Sequence, residues 1–297
     1  MHINWKGKIE DEFYVLGHAA VPVYLLDGQM PVLFDAGFTA LSRIYIKDIV
    51  QVLDTRSPAF LLLTHAHWDH VGSAAYFKNV WPHMKVGGSS RAREILKRPG
   101  AVDQIRAMNK GAICDLRKWG TDEIFEGPFK RFDLDIILEN RKIIQLEPSL
   151  SVEIIYTPGH TWDFLSYWIP ERKILIASEA AGCDGISEFL VDYNAYLDSL
   201  KTLSLLDVEI LCTGHNLVIA GCDAKKHIFQ SIDDAKKYVT MVEEFLREEN
   251  YNIDRVVTRV KAVEWDTKSL PRQPEKAYVI NTDVRVKLIL DHMKNKT

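Results

Sequence analysis

The sequence predicts an α+β fold: a sandwich of two β-sheets with helices on its outer faces. Three observations predict it. Two blocks of short apolar, β-branched runs lie near the N-terminus and over about 132–177, and each is followed by helical patterning. Turn chemistry at Gly17-His18, Asp27-Gly28, Asn140-Arg141 and Pro170-Glu171-Arg172 separates the runs. From Asp192 onward helical patterns dominate. With 297 residues, 47% of them hydrophobic, the chain can bury a sizeable core.

In order, EFYVLG, VPVYLLDG and MPVLFDAG read as strands. TALSRIYIKDIVQVLD places Leu41, Ile44, Ile49 and Leu53 near helical spacing, with Thr39 as N-cap. AFLLLTH reads as a strand, followed by a helix starting near His70, and 91–119 is mostly helical. LDIIL, RKIIQL, LSVEIIYTPGH, FLSYWI and RKILIAS form the second strand block. One short strand, VEILCTGH, interrupts the later helices. The segment after it is amphipathic, and Ile228, Ile232, Ala235, Val239, Val242 and Leu246 make a stripe suited to core packing. Further helices are expected over 254–263 and 282–294. The expected organisation is a catalytic domain over 1–222 and a helical extension over 223–297 packed on the same domain.

The net charge of −4 offers no excess of cations for phosphates, so nucleic acid is not an expected partner. No run approaches the ~18 consecutive apolar residues of a membrane span. The N-terminal stretch has neither the apolar core nor the cleavage site of a signal peptide, and a cytoplasmic location is expected. Cys114, Cys183, Cys212 and Cys222 are scattered and contain no CxxC, which predicts mostly buried, reduced thiols.

The chemistry concentrates in LLLTHAHWDHVG, residues 61–72, where an apolar run ends in His65, His67, Asp69 and His70. In an extended segment alternate side chains share a face. His65, His67 and Asp69 can therefore point to one side, with Ala66 and Trp68 on the other, and His70 turning inward as the helix begins. Imidazole nitrogen and carboxylate oxygen are ligands for zinc, iron or manganese. YTPGHTWD and LCTGHN repeat the order strand, glycine, histidine, and present His160 and His215 at loops. ILIASEAAG ends another apolar strand at Glu179.

His65-x-His67-x-Asp69-His70, followed by His160, an acidic residue and His215, resembles the metallo-β-lactamase superfamily. The resemblance extends to LFDAG, with Asp35 and Gly37, and covers about residues 21–215. It implies a four-layer αββα sandwich, here with additional C-terminal helices, and two divalent metal ions. Zinc is the first expectation for them, with iron or manganese as alternatives. His65, His67 and His160 map to the first metal, and Asp69, His70 and His215 to the second. The family usually has Gly-Asp where this chain has Ser178-Glu179, and that Asp bridges the metals. Glu179 is expected to remain a ligand, although its extra methylene makes the carboxylate overshoot unless the strand end retracts. Asp184, beyond the strand end, is the weaker substitute.

The resemblance implies a hydrolase in which a metal-bridging hydroxide attacks an acyl carbonyl, with Asp69 orienting it and moving its proton. Asp35 is a candidate partner of a ligating histidine or a turn cap. Trp68 and Tyr193 are candidates for the pocket mouth, ahead of Trp162 and Tyr196; His18 fits a surface role better. The C-terminal helices resemble the caps of glyoxalase II-type thioesterases and of aminobenzoylacetyl-thioester hydrolases, which favours a small-molecule acyl ester, thioester or lactone as substrate. A homodimer is left open. Flavodiiron enzymes share the fold but carry Glu where His67 stands. The competing readings are a mononuclear iron persulfide dioxygenase and a metal-containing regulatory protein with incidental hydrolysis.

Overall fold

Strand side chains alternate between two faces, and here both faces are apolar, so each sheet has to be covered on both sides. The computed structural model describes residues 2–3, 6–183, 185–216, 218–269 and 272–296, and it arranges the strands in two seven-stranded sheets. β1 (His2–Ile3) belongs to the second sheet. The first sheet follows chain order: β2 (Gly7–Glu10), β3 (Phe13–His18), β4 (Val21–Leu26), β5 (Val32–Phe34), β6 (Phe60–Leu62), β7 (Lys85–Gly88) and β8 (Ile136–Ile137). Pairing is antiparallel from β2 to β5 and parallel from β5 to β8. Parallel neighbours need crossovers. Here these contain α1 (Ser42–Leu53), then α2 (Trp68–Val71) and α3 (Ala74–Val80), then α4 (Ser90–Lys97) and α5 (Pro99–Lys118).

The second sheet takes β9 (Ile143–Glu147), β10 (Leu150–Tyr156), β11 (Leu165–Ile169), β12 (Ile174–Ile176), β13 (Ile210–Cys212) and β14 (Val218–Ala220) in that order, with β1 outside β14. Only β12 and β13 pair in parallel, joined through α6 (Tyr193–Ser204). α7 (Cys222–Glu248), α8 (Ile253–Glu264) and α9 (Glu275–Lys296) follow.

Alternation assigns the layers. In β5, Val32 and Phe34 face the other sheet, while Leu33 joins the core beneath α1 and α5. In β12, Ile174 and Ile176 face inward, while Leu175 joins the core beneath α6, α7 and α9. One apolar layer between the sheets and one outside each give the expected αββα sandwich. Of the stripe expected on α7, Ile228, Ala235, Val242 and Leu246 are buried in that outer core, with Ile232 and Val239 packed at its edge.

Several boundaries depart from the sequence-based layout. β1, β2, β7 and β14 have no counterpart in it. β7 reads KVGG, which carries little strand propensity. The hairpin of β3 and β4 turns at Ala19-Ala20, while Gly17 and His18 stay in β3 opposite Pro22 and Val21. α2 begins two residues before His70, and α9 begins at Glu275 rather than 282. Cys183 and Cys212 are buried but Cys114 and Cys222 are exposed; all four are free thiols. No helix among the described residues is long and apolar enough to cross a membrane.

One buried charge ties the C-terminal helices to the loop between β12 and α6. Arg285 of α9 is 1% exposed and donates through Nη1 to the Ser187 carbonyl at 2.6 Å. Its Nη2 meets Thr282 Oγ1 at 2.9 Å and Glu264 Oε2, on α8, at 3.2 Å. The guanidinium carbon lies 4.6 Å from the Tyr238 ring centre. Removing one partner of a buried pair strands the other, at a cost of about 3–5 kcal/mol. Arg285→Met is expected to destabilise the protein by about that amount, read as a lower urea midpoint at unchanged slope.

Candidate metal centre

The donors sit where strands stop. Beyond β6 the chain bends at Thr64 and runs to His67, whose extended backbone, φ −69° and ψ 151°, precedes α2. That change of direction turns Asp69 and His70 back toward the strand end. Asp163 holds the loop open by accepting from the Ala66 amide at 2.8 Å. His160 follows β10 through Gly159, whose φ is +128° and whose missing Cβ would stand 2.3 Å from the Tyr196 Cα. Any other residue there would strain the backbone and push α6 away. Glu179 lies in a single 3₁₀ turn, Ser178–Ala181, after β12, and His215 follows β13.

These four segments converge. Three sets of side chains bring donor atoms within 4.8 Å of one another: His65, His67 and His160; His65, His70 and Glu179; Asp69, His70 and His215. His67 Nδ1 and His160 Nε2 are 3.1 Å apart. Glu179 Oε1 lies 2.9 Å from His70 Nε2 and 3.0 Å from His215 Nε2. Asp69 Oδ2 is 3.5 Å from His215 Nε2 and 3.9 Å from His70 Nε2.

The opposite ring nitrogens are spoken for. His160 Nδ1 donates to the Glu188 carbonyl, His215 Nδ1 to the Ala20 carbonyl at 2.6 Å, and His70 Nδ1 to Asp35 Oδ2 at 2.8 Å. His65 Nδ1 lies 3.0 Å from Thr64 Oγ1, which itself donates to Asp35. A proton fixed on Nδ1 leaves the Nε2 lone pair for the centre. His65 Nε2 is buried and has no hydrogen-bond partner. An orphaned lone pair beside two facing ring nitrogens, in a nitrogen and oxygen donor set, fits a divalent cation.

Glu179 reaches the middle of the group despite its extra methylene. Ser178 takes a left-handed backbone, φ +49°, and its hydroxyl donates to Glu179 Oε2 at 2.7 Å. Gly214 supplies the space, since a Cβ there would lie 2.3 Å from Glu179 Oε1. Gly214 is thus required by room for the carboxylate, not by a tight backbone turn. Asp184 lies outside the described residues.

Electrostatics divides the histidines. Burial lowers His67 to about 4 and His160 to about 3, and holds His65 well below its ordinary value, so this set is neutral at pH 7. Burial also acts on His70 and His215, but the neighbouring carboxylates outweigh it. His215 is raised to about 9 by Glu179 and Asp69, and His70 well above its ordinary value by Glu179, Asp35 and Asp69. Burial pushes the Glu179 carboxyl up, yet His70, His215 and His65 hold it well below the usual carboxylate range.

A cavity of about 530 Å³, counting its mouth, opens over these donors. Trp68 lines it while stacking on Phe38 at 4.8 Å. Tyr193 is not among its lining residues; the ring meets Phe189 edge-on at 5.2 Å beside the outer core. Tyr196 is buried, Trp162 is exposed, and His18 stacks on Trp119, all away from the lining. Sequence reasoning missed Thr64, Asp163 and Glu188, and the wall built by Gln104, Met108, Gln273 and Asn281. Asp163 had one signal, its place three residues after His160. Glu188 had none, yet its buried carboxylate lines the cavity, pushed up to about 7 by burial against the pull of Arg285.

A sequence profile of the metallo-beta-lactamase superfamily matches residues 16–215. The chain belongs to that superfamily, whose members are mostly metal-dependent hydrolases. Among curated proteins of the same kind, a beta-lactamase-like protein 2 homolog from Caenorhabditis elegans is 23% identical over 229 residues, 73% of this chain and 66% of its own. Flavo-diiron protein FprA2 from Clostridium acetobutylicum is 23% identical over 237 residues, 73% of this chain and 55% of its own. Glyoxylase B2 from Dictyostelium discoideum is 26% identical over 119 residues, 40% of this chain and 34% of its own. The chain thus spans between 34% and 66% of these relatives' lengths. A metallo-beta-lactamase family protein of Thermus thermophilus superposes with a TM-score of 0.66 at 16% identity, over 97% of this chain and 95% of that one. An archaeal superfamily protein from Sulfolobus tokodaii gives 0.58 at 18%, over 92% and 93%. At these identities the likeness shows the superfamily's fold.

Glu179→Ala and Gly214→Ala are each expected to lower the metal bound per chain, by removing the central carboxylate or by displacing it; elemental analysis of the purified variants measures this. Cation uptake by Asp69, His70 and His215 displaces protons, so its affinity is expected to rise with pH toward about 9, by about tenfold per unit for each proton displaced. Uptake by His65, His67 and His160, already neutral, is expected to be nearly flat above pH 6. Calorimetry at two pH values, in buffers of different ionisation heat, separates the two.

Proposed function

We propose that the protein is a metal-dependent hydrolase of small acyl esters, thioesters or lactones. The observation that carries this is the convergence of seven donor side chains from four strand ends in three overlapping sets, five of which, His67, Asp69, His160, Glu179 and His215, line one cavity. His65, His67 and His160 would hold one divalent cation, Asp69, His70 and His215 a second, and Glu179 lies between the two sets. Zinc suits this mixture of nitrogen and oxygen ligands, and iron and manganese share the preference. When bound, such cations polarise an acyl oxygen and lower the pKa of a coordinated water toward neutrality.

The chain's own residues supply position and proton handling. Asp69, 8% exposed, lines the cavity with Oδ2 at 3.5 Å from His215 Nε2, so its carboxylate can take a proton at the floor and return it to a departing oxygen or sulfur. Asp35 and the Glu188 and Ala20 carbonyls keep the imidazoles aimed, so little reorganisation is needed when substrate arrives. Trp68, Met108 and Ala277 give the cavity an apolar side that limits water.

Metal-analysed protein assayed on a panel of esters, thioesters and lactones tests the reading. Hydrolysis is expected, lost with a chelator and restored by zinc. Asp69→Asn at matched metal content is expected to lower kcat by about 10²–10⁴. Absence of hydrolysis by fully loaded protein would overturn the proposal. Iron at one per chain with sulfur-dependent oxygen uptake would replace it by the dioxygenase reading.

A further inference from the structure

The floor of the cavity and its walls differ in charge. The floor carries Asp69, Glu179 and the imidazoles, with the Glu188 carboxylate at one side. The walls that would meet the body of a substrate come from α2, α5, α9 and the segment leading into α9. Their side chains are Trp68, Gln104, Met108, Gln273, Ile280 and Asn281, every one of them uncharged. Among the described residues no lysine or arginine lines the cavity. Cations do adjoin the wall in sequence, but none is among its lining residues: Arg272 donates to the Trp265 and Lys268 carbonyls, Arg106 pairs with Asp103, Lys276 is exposed, and Arg285 is buried against the Ser187 carbonyl, Thr282 and Glu264.

We propose that this wall selects small acyl compounds whose bodies are neutral and carry amide or hydroxyl groups, and rejects those bearing a carboxylate or phosphate beyond the scissile bond. The inference rests on the hydrolase reading and names its substrate class. An anion set against the wall gives up hydration and finds no cation in return, which is costly in proportion to its burial. A neutral amide or hydroxyl meets the opposite situation. The carboxamides of Gln104, Gln273 and Asn281 each offer a donor and an acceptor, and Trp68, Met108 and Ile280 cover an alkyl or aromatic portion. Cations on the floor would attract the reacting oxygen of either substrate equally, so discrimination falls to the wall. Gln104 on α5 and Asn281 on α9 are therefore specificity-determining residues.

Matched substrates test this. Pentanoyl and glutaryl thioesters of N-acetylcysteamine differ by one carboxylate on the acyl side. Pentanoyl thioesters of pantetheine and of 4′-phosphopantetheine differ by one phosphate on the leaving side. With spontaneous rates subtracted, kcat/KM is expected to favour the neutral member of each pair by about tenfold or more. Asn281→Lys and Gln104→Lys, at wild-type metal content, are expected to narrow that ratio by raising turnover of the anionic member. If ester or lactone bonds prove the better substrates, the same charge pair is made in that class. Equal or faster turnover of the anionic members by the wild-type protein, with hydrolysis intact, would overturn this proposal and leave the hydrolase reading standing. No hydrolysis of any member by loaded protein would overturn both.

Discussion

The centre depends on hydrogen bonds made on the far side of its histidines. A buried imidazole free to rotate or to change tautomer would not keep a lone pair on one point. Here Asp35 fixes His70 directly and His65 through the Thr64 hydroxyl, while backbone carbonyls at Ala20 and Glu188 fix His215 and His160. The anchor for His215 comes from the opposite sheet, so the centre requires the two sheets to hold their separation. Two tyrosines meet that need at the same edge. Tyr24 in β4 donates to the Thr213 carbonyl, and Tyr167 in β11 to the Leu63 carbonyl, each at 2.5 Å. Each bond lands two residues before a donor histidine. Burial holds both phenols well above their ordinary value, so they remain protonated donors.

The charge pattern shows why such a cluster tolerates burial. Five imidazoles and the carboxylates of Asp35, Asp69 and Glu179 occupy a volume with little access to water. His65, His67 and His160 stay neutral, while the negative charge of the neighbouring carboxylates favours the protonated forms of His70 and His215. Protons thus supply, on the side of Glu179 and Asp69, the positive charge that a cation supplies when bound. The neutral set and the protonated set are the same two groups of ligands that the family resemblance implies.

The donor residues were legible because each follows an apolar run and most sit beside glycine or another histidine, features visible in a few consecutive letters. The two sheets were legible for a similar reason, since Val32-Leu33-Phe34 and Ile174-Leu175-Ile176 need cover on both faces. What stayed hidden depends on contacts between distant segments. KVGG lacks strand character, and β7 exists because β6 and β8 flank it. Gly214 reads as a turn glycine, and its reason, room for the Glu179 carboxylate, appears only when β12 and β13 lie side by side. Tyr193 stands next to the right segment, yet the rotation of α6 takes it to Phe189. Glu188 and Asn281 carry no local pattern at all.

The replacement of the family's Gly-Asp by Ser178-Glu179 shows how these levels interact. Lengthening the acid moves its oxygens outward by about one bond, so the backbone has to compensate. Ser178 does so in a left-handed conformation that suits glycine better, and its hydroxyl then caps the carboxylate it has displaced. The strain is retained because the turn is buried on every side. The same economy governs α9. Its N-terminal half forms one side of the neutral wall of the cavity, and Arg285 further along holds the Ser187 carbonyl, one residue from the carbonyl that orients His160. One side of the wall and the anchor of His160 are therefore coupled through one helix, and a shift of that helix would change what enters the cavity and how His160 is aimed together.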